Sequence, residues 1–154
     1  IISSLFFIND EIKITIVLGN EFKCWKKLNS IILNDSRISI TSNVKNMANL
    51  LQNYDLAITA AGNTVLEVAY LGIPSIIVCA EKFENETAEF IEKIGFGINL
   101  GFGKNLPIEK ITKTVKSLMN DYELRKTMNR VGKSLIDGNG TERIYNVIVN
   151  GDPK

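Results

Sequence analysis

Gly62, Asn63 and Thr64, with Glu67 three residues further on, are the polar groups in this chain best arranged to hold a ligand. They follow the apolar run DLAIT (55 to 59) and lead into a segment of helical period, so they stand at a strand-to-helix junction. In open α/β sheets, ligands settle beyond the carboxyl ends of the strands, where helix N-termini present unpaired N–H groups. Gly62 suits a sharp turn and close approach of a ligand to the main chain, and Asn63 and Thr64 add short hydrogen-bonding side chains. A sugar or a phosphate fits such a junction. The Glu67 carboxylate has two acceptor oxygens and can take a hydrogen bond from each vicinal hydroxyl of a ribose. Thr64-x-x-Glu67 is also the spacing of a capping box, in which both side chains satisfy the first donors of a helix.

Other chemistries are excluded by what the chain lacks. It contains no histidine, so no Ser-His-Asp triad, His-ligated metal or imidazole acid or base can be assembled from it. There is no GxxxxGK[ST] loop, and GFGINLGFGK does not place GxGxxG between a strand and a helix, so no nicotinamide cofactor, or any other, is expected. Glu81, Glu84 and Glu86 read as dipole partners of a helix start rather than as a metal or acid-base cluster, and no metal or catalytic residue is assigned. Cys24 and Cys79 lack CxxC spacing and fit a reducing compartment, so the expected location is the cytoplasm. Lys and Arg total 18 against 17 Asp and Glu, a net +1 without a basic stripe, which argues against nucleic acid as a partner. Every apolar run is cut by charge or glycine before it could span a bilayer.

The elements that must position these residues alternate along the chain. β-Branched runs at 12 to 18, 37 to 41, 55 to 59, 74 to 79 and 97 to 100 read as strands, and helical segments fall near 21 to 32, 45 to 53, 63 to 72 and 84 to 94. That alternation predicts the α/β class, with a Rossmann-like parallel sheet flanked by helices. Pro107 suits a first helical position ahead of the stripe Ile108, Ile111, Val115 and Leu118, and Asp121 can cap the helix carrying Leu124, Met128, Val131 and Leu135. A last short helix follows the turns at Gly138 and Gly140, with Asp137 and Thr141 as candidate caps. The opening IISSLFFINDE fits either a strand or, on Leu5, Ile8 and Ile12, a helix.

DLAITAAGNTVLEVAYLGIPSI, the dipeptide at Glu84 and Asn85, and the late IDGNGTERI together resemble the C-terminal half of one particular family. It contains the pseudaminic acid pathway UDP-sugar hydrolase and the spore-coat polysaccharide biosynthesis proteins. The AGNT…E…LGIPS stretch is shared more widely, with the donor-binding motif of GT-B glycosyltransferases such as the peptidoglycan N-acetylglucosaminyltransferase. The resemblance implies that residues 1 to 154 are one nucleotide-sugar-binding domain, the C-terminal lobe of a GT-B fold, binding a UDP-linked sugar. It implies that Glu67 holds the ribose hydroxyls, that Gly62, Asn63 and Thr64 face the diphosphate and sugar, and that main-chain groups at Val44 hold the uracil. Glu84, Asn85 and Glu86 match a Glu-Asn-Gln triplet that reaches the sugar, with Glu86 in place of glutamine. Asp137 and Arg143 match a tail motif read as structural.

Members of that family carry a first Rossmann-like domain with a GH motif and the catalytic histidine, and a strand ending in Gly-Gly ahead of the helix that IISSLFFINDE resembles. Neither is found in these residues, so the resemblance implies a fragment or a truncated reading frame that begins in the first helix of the C-terminal domain, with a sheet expected to lack its first strand. Either residues 1 to 7 substitute for that strand, or the sheet rearranges or recruits another chain, including a second copy of this one. The implied function is the donor lobe of a UDP-sugar hydrolase, inactive without its other lobe in cis or in trans. The alternatives are the donor lobe of a glycosyltransferase and a non-catalytic donor-binding or docking subunit.

Overall fold

The computed structural model describes residues 1–8, 11–32 and 35–151, so Asn9 and Asp10 of the opening run and the last three residues lie outside the described residues. β1 (Ile14–Leu18) pairs in parallel with β2 (Ile38–Ser42), with Ile14 opposite Ile38 and Leu18 opposite Ser42. A second parallel sheet has the order β3-β4-β5, formed by Ala57–Thr59, Ser75–Cys79 and Gly97–Phe102. Among the described residues there are eight α-helices: α1 (Ile2–Leu5) before β1, α2 (Trp25–Ile32), α3 (Met47–Leu51), α4 (Asn63–Leu71) and α5 (Asn85–Lys93) between the strands, and α6 (Ile108–Asn120), α7 (Tyr122–Leu135) and α8 (Gly140–Asn150) after β5. This is the α/β architecture expected from the alternating runs.

Each sheet face has its own core. On one side Val65, Val68 and Ala69 of α4 pack with Ile77, Cys79, Ala88, Ile91 and Phe96. On the other, Leu5 and Ile8 join Ile76, Val78 and Leu100 beneath Ile111, Val115 and Leu118 of α6. β4 is buried along its whole length, as a central strand covered on both faces must be. β3, beside it, is only half-buried, because no ladder among the described residues joins it to β1. Residues 1 to 7 do not fill that gap: Ile2–Leu5 is helical, and Thr112 Oγ1 on α6 donates to Ser4 O at 2.8 Å.

Local signals account for most boundaries. α4 ends in a Schellman turn, with Gly72 left-handed at φ 70°, its N–H on Ala69 O and that of Ile73 on Val68 O. Asp121 caps α7 by accepting from Leu124 N at 2.9 Å, and Arg125 reaches back to Leu118 O and Met119 O at the end of α6. Pro107 stands one position earlier than expected, as the extended N-cap of α6 rather than its first residue. The candidate caps of α8 are also displaced. The N-cap is Asn139, Thr141 lies inside the helix, and Asp137 accepts from Asn139 N and pairs with Arg143 instead. α8 buries none of its residues.

Candidate functional site

The β3–α4 junction is built by a helix that is apolar on one side only. Val65, Val68 and Ala69 are fully buried, which turns Asn63, Thr64 and Glu67 outward on the opposite face. Glu67 is exposed and makes no hydrogen bond or ion pair among the described residues. The capping box that its spacing allowed does not form: α4 begins after Gly62, and no side chain caps it. The box forms one loop later, where Glu81 and Glu84 exchange side-chain and backbone bonds at the turn Lys82–Glu84. Gly62 itself sits at φ −91°, ψ −158°, so the turn does not require a left-handed residue.

Glu84 closes the site from below. It is buried, its Oε2 accepts from Ala80 N at 2.6 Å and Glu81 N at 3.2 Å, and a Cβ built on Gly62 would meet its Oε1 at 3.9 Å. Both bonds lie within the β4–α5 turn, and the other carboxylate oxygen faces the backbone of Gly62 without bonding to it. Burial is the larger of the two influences that raise the thiol of Cys79 at the end of β4, and the negative charge of Glu84 adds to it. Asn85, the next residue, donates to Glu89 Oε1 at 2.6 Å, and Glu86 is exposed.

A cleft of about 2040 Å³ opens beside this junction. Thr64 lines it from the β3 side, and Val44 lines it from the loop after β2. Gly62, Asn63 and Glu67, like Glu84, Asn85 and Glu86, contribute no wall to the cleft; Glu67 stands exposed one helical turn beyond Thr64. Asn43 and Lys45 also line it and were not singled out from the sequence. Asn43 is left-handed at φ 54°, the only non-glycine residue with positive φ among those described, and it aims the loop carrying Val44. An asparagine directly after a β-branched run was the available signal. Lys45 brings positive charge to the loop carrying Val44, which suits an anionic ligand. No group of three or more His, Cys, Asp or Glu side chains able to hold a metal occurs among the described residues, nor any helix long and apolar enough to cross a membrane.

Residues 2–140 match the glycosyltransferase family 28 C-terminal domain. Similar curated proteins include the spore coat polysaccharide biosynthesis protein SpsG of Bacillus subtilis (strain 168), 28% identical over 102 residues, covering 66% of this chain and 30% of that protein. Another is the UDP-N-acetylglucosamine--N-acetylmuramyl-(pentapeptide) pyrophosphoryl-undecaprenol N-acetylglucosamine transferase of Clostridioides difficile (strain 630), 36% identical over 111 residues. That match covers 69% of this chain and 27% of the transferase. The chain thus spans less than a third of the length of either. Among solved structures, MurG of Acinetobacter baumannii superimposes with a TM-score of 0.78 at 20% identity, over 97% of this chain and 44% of that one. The calicheamicin glycosyltransferase CalG4 gives 0.74 at 16% identity, over 97% and 37%. These two likenesses establish the fold: the C-terminal lobe of GT-B enzymes.

Proposed function

The chain belongs to the glycosyltransferase family 28 C-terminal domain family, and from this we propose that it is the donor-binding lobe of a GT-B glycosyltransferase acting in surface polysaccharide synthesis, and that it holds a UDP-linked sugar. The observation carrying this reading is the cleft lined by Val44 and Thr64, with the exposed, unpartnered carboxylate of Glu67 one turn along α4 from Thr64. Glu67 accepts from the two ribose hydroxyls, the main chain at Gly62 and the first amides of α4 face the diphosphate, and backbone groups near Val44 hold the base. When the glycosyl bond breaks, charge collects on the departing diphosphate, and the N-terminus of α4 with Lys45 stabilises it there. The acceptor and any catalytic base come from a second lobe.

Hydrolysis, the expectation drawn from the sequence, has less support than transfer. The matching family is one of glycosyltransferases, and the C. difficile relative is an N-acetylglucosamine transferase. Glu84 fits a bracing role better than a sugar contact, because backbone amides already occupy one of its oxygens. Titration of UDP into the chain, with Glu67→Gln in parallel, tests the assignment. Binding in the micromolar to millimolar range that weakens about 10- to 100-fold in the variant is expected, the loss corresponding to charge-assisted hydrogen bonds. Equal affinity of the two proteins would rule Glu67 out as the ribose ligand.

A further inference from the structure

The turn between β4 and α5 carries one large apolar side chain with nothing against it. The polar groups of this turn are engaged with one another: the Glu81 side chain accepts from the backbone of Glu84, and Glu84 Oε2 accepts from Ala80 N and Glu81 N. Phe83, inside the turn, is 79% exposed, more than any other large hydrophobic residue described. Other exposed rings have company. Trp25 meets Phe22 edge-on with centroids 5.5 Å apart, and Arg125 and Lys126 each stand 5.8 Å from the centre of the Tyr122 ring. Phe83 has no aromatic or cationic partner of this kind among the described residues. A single exposed apolar side chain is ordinary on a surface, so the case for Phe83 rests on where its turn lies.

Tyr54, just ahead of β3, donates its hydroxyl to Thr15 Oγ1 near the start of β1 at 2.5 Å, so β1 and β2 lie on the β3 side of β4 and begin at the same end. The loops at the carboxyl ends therefore follow one another as Val44 after β2, Gly62 after β3 and Phe83 after β4. The last two are close, since Glu84 Oε1 lies 3.9 Å from where a Cβ of Gly62 would be. With the base near Val44 and the diphosphate over Gly62 and α4, the glycosyl group on the outer phosphate comes next in this row, above the turn that bears Phe83. We infer that Phe83 recognises the glycosyl group of the donor by packing its ring against a face of a pyranose that carries only C–H bonds. The inference rests on the nucleotide-sugar reading of this site and adds to it the residue that reads the sugar. The face of a phenyl ring is the negative side of its quadrupole, and the hydrogens of oxygen-bearing carbons are slightly positive, so the two attract while both lose water. The sugar hydroxyls, which project around the edge of the pyranose, stay hydrated in this arrangement. The capping box of Glu81 and Glu84 holds the backbone under the phenyl ring in one shape, which reduces the ordering needed when the sugar arrives.

Calorimetric titration of UDP, UDP-glucose and UDP-N-acetylglucosamine into the chain tests it. At least one of the two sugar nucleotides is expected to bind about 5- to 10-fold more tightly than UDP. Phe83→Ser should abolish that gain and leave the affinity for UDP unchanged, and Phe83→Tyr, which keeps an aromatic face, should preserve it. Phe90→Ser, which removes another exposed ring from α5, serves as the control and should change neither value. Binding of UDP with no gain from either sugar, or a gain that survives Phe83→Ser, would overturn the assignment of Phe83 alone. So would a loss in Phe83→Ser that is equal for UDP and the sugar nucleotides, or an equal loss of the gain in Phe83→Tyr or Phe90→Ser. Failure of UDP itself to bind the unmodified chain would overturn the nucleotide-sugar reading, and the role of Phe83 with it.

Discussion

The carboxylate of Glu84 lies directly beneath Gly62, one oxygen bonded to the amides of Ala80 and Glu81 and the other 3.9 Å from where the glycine's Cβ would be. The β4–α5 loop is thus held in shape by its own carboxylate, which also stands close under the backbone of the neighbouring β3–α4 loop. A buried carboxylate bonded to two main-chain donors is worth more to its turn than a neutral acceptor, and removing it leaves both donors unpaired. Glu84→Ala is expected to lower stability by about 1.5–3 kcal/mol, whereas Glu84→Gln, which keeps an acceptor in place, costs under about 1 kcal/mol. Urea denaturation of both variants measures this.

Cys79 reports on the same corner. Burial first, and the charge of Glu84 second, raise its thiol above the ordinary range, so little thiolate is present at neutral pH. Cys24 is exposed. Iodoacetamide at pH 8 should label Cys24 in the native protein and leave Cys79 unmodified until denaturant is added. Because burial is the larger cause, Glu84→Gln should speed labelling of Cys79 only slightly.

Where α7 crosses α4, Gly132 permits the contact by having no side chain. A Cβ there would stand 2.6 Å from Phe96 Cε2 and 2.8 Å from Ala69 O. The carbonyl is part of a helix backbone and cannot swing aside. Gly132→Ala is therefore expected to destabilise the domain by about 1–3 kcal/mol through overpacking, despite the better helix propensity of alanine. Thermal unfolding of the variant should show a lower midpoint.

The Asp137–Arg143 pair predicts a specific titration. The Arg143 guanidinium, with Nη1 to Oδ2 at 2.6 Å, and then the Asn139 amide lower the Asp137 carboxyl from 3.8 to about 2. A folded-state value below the unfolded one means that the pair's contribution is complete above about pH 4 and fades as pH falls towards 2. Both groups are solvent-exposed, so the effect on global stability is small. Carboxyl carbon shifts followed by NMR should show a midpoint near 2 for Asp137, returning towards the ordinary value in Arg143→Ala.

Much of this fold can be read from short-range pattern. The five β-branched runs became the five strands, and Asp121 caps α7 because both the cap and its acceptor geometry are set within four residues. The outward placement of Glu67 likewise follows from the apolar positions Val65, Val68 and Ala69 on its own helix. The role of Glu84 could not be read this way. Its partners are backbone amides, whose directions depend on a turn that tertiary packing selects, and its spacing to Glu81 was seen only as a cluster of charge. Asn43 escaped notice because a left-handed residue leaves no periodic trace. The two-residue shortening of β3 to Ala57–Thr59 reflects the unpaired edge next to it, which is a property of the whole sheet rather than of DLAIT.

The unfilled interval between β1 and β3 also determines the gauge of the cleft above it. Val44 rides on the plate made by β1 and β2, and Thr64 on the plate made by β3, β4 and β5. The span across which a nucleotide would have to reach is therefore fixed by whatever stands between the plates, as a shim fixes the opening of a vice. Because no ladder among the described residues joins the plates, the distance from Val44 to Thr64 is set by side-chain packing rather than by backbone pairing.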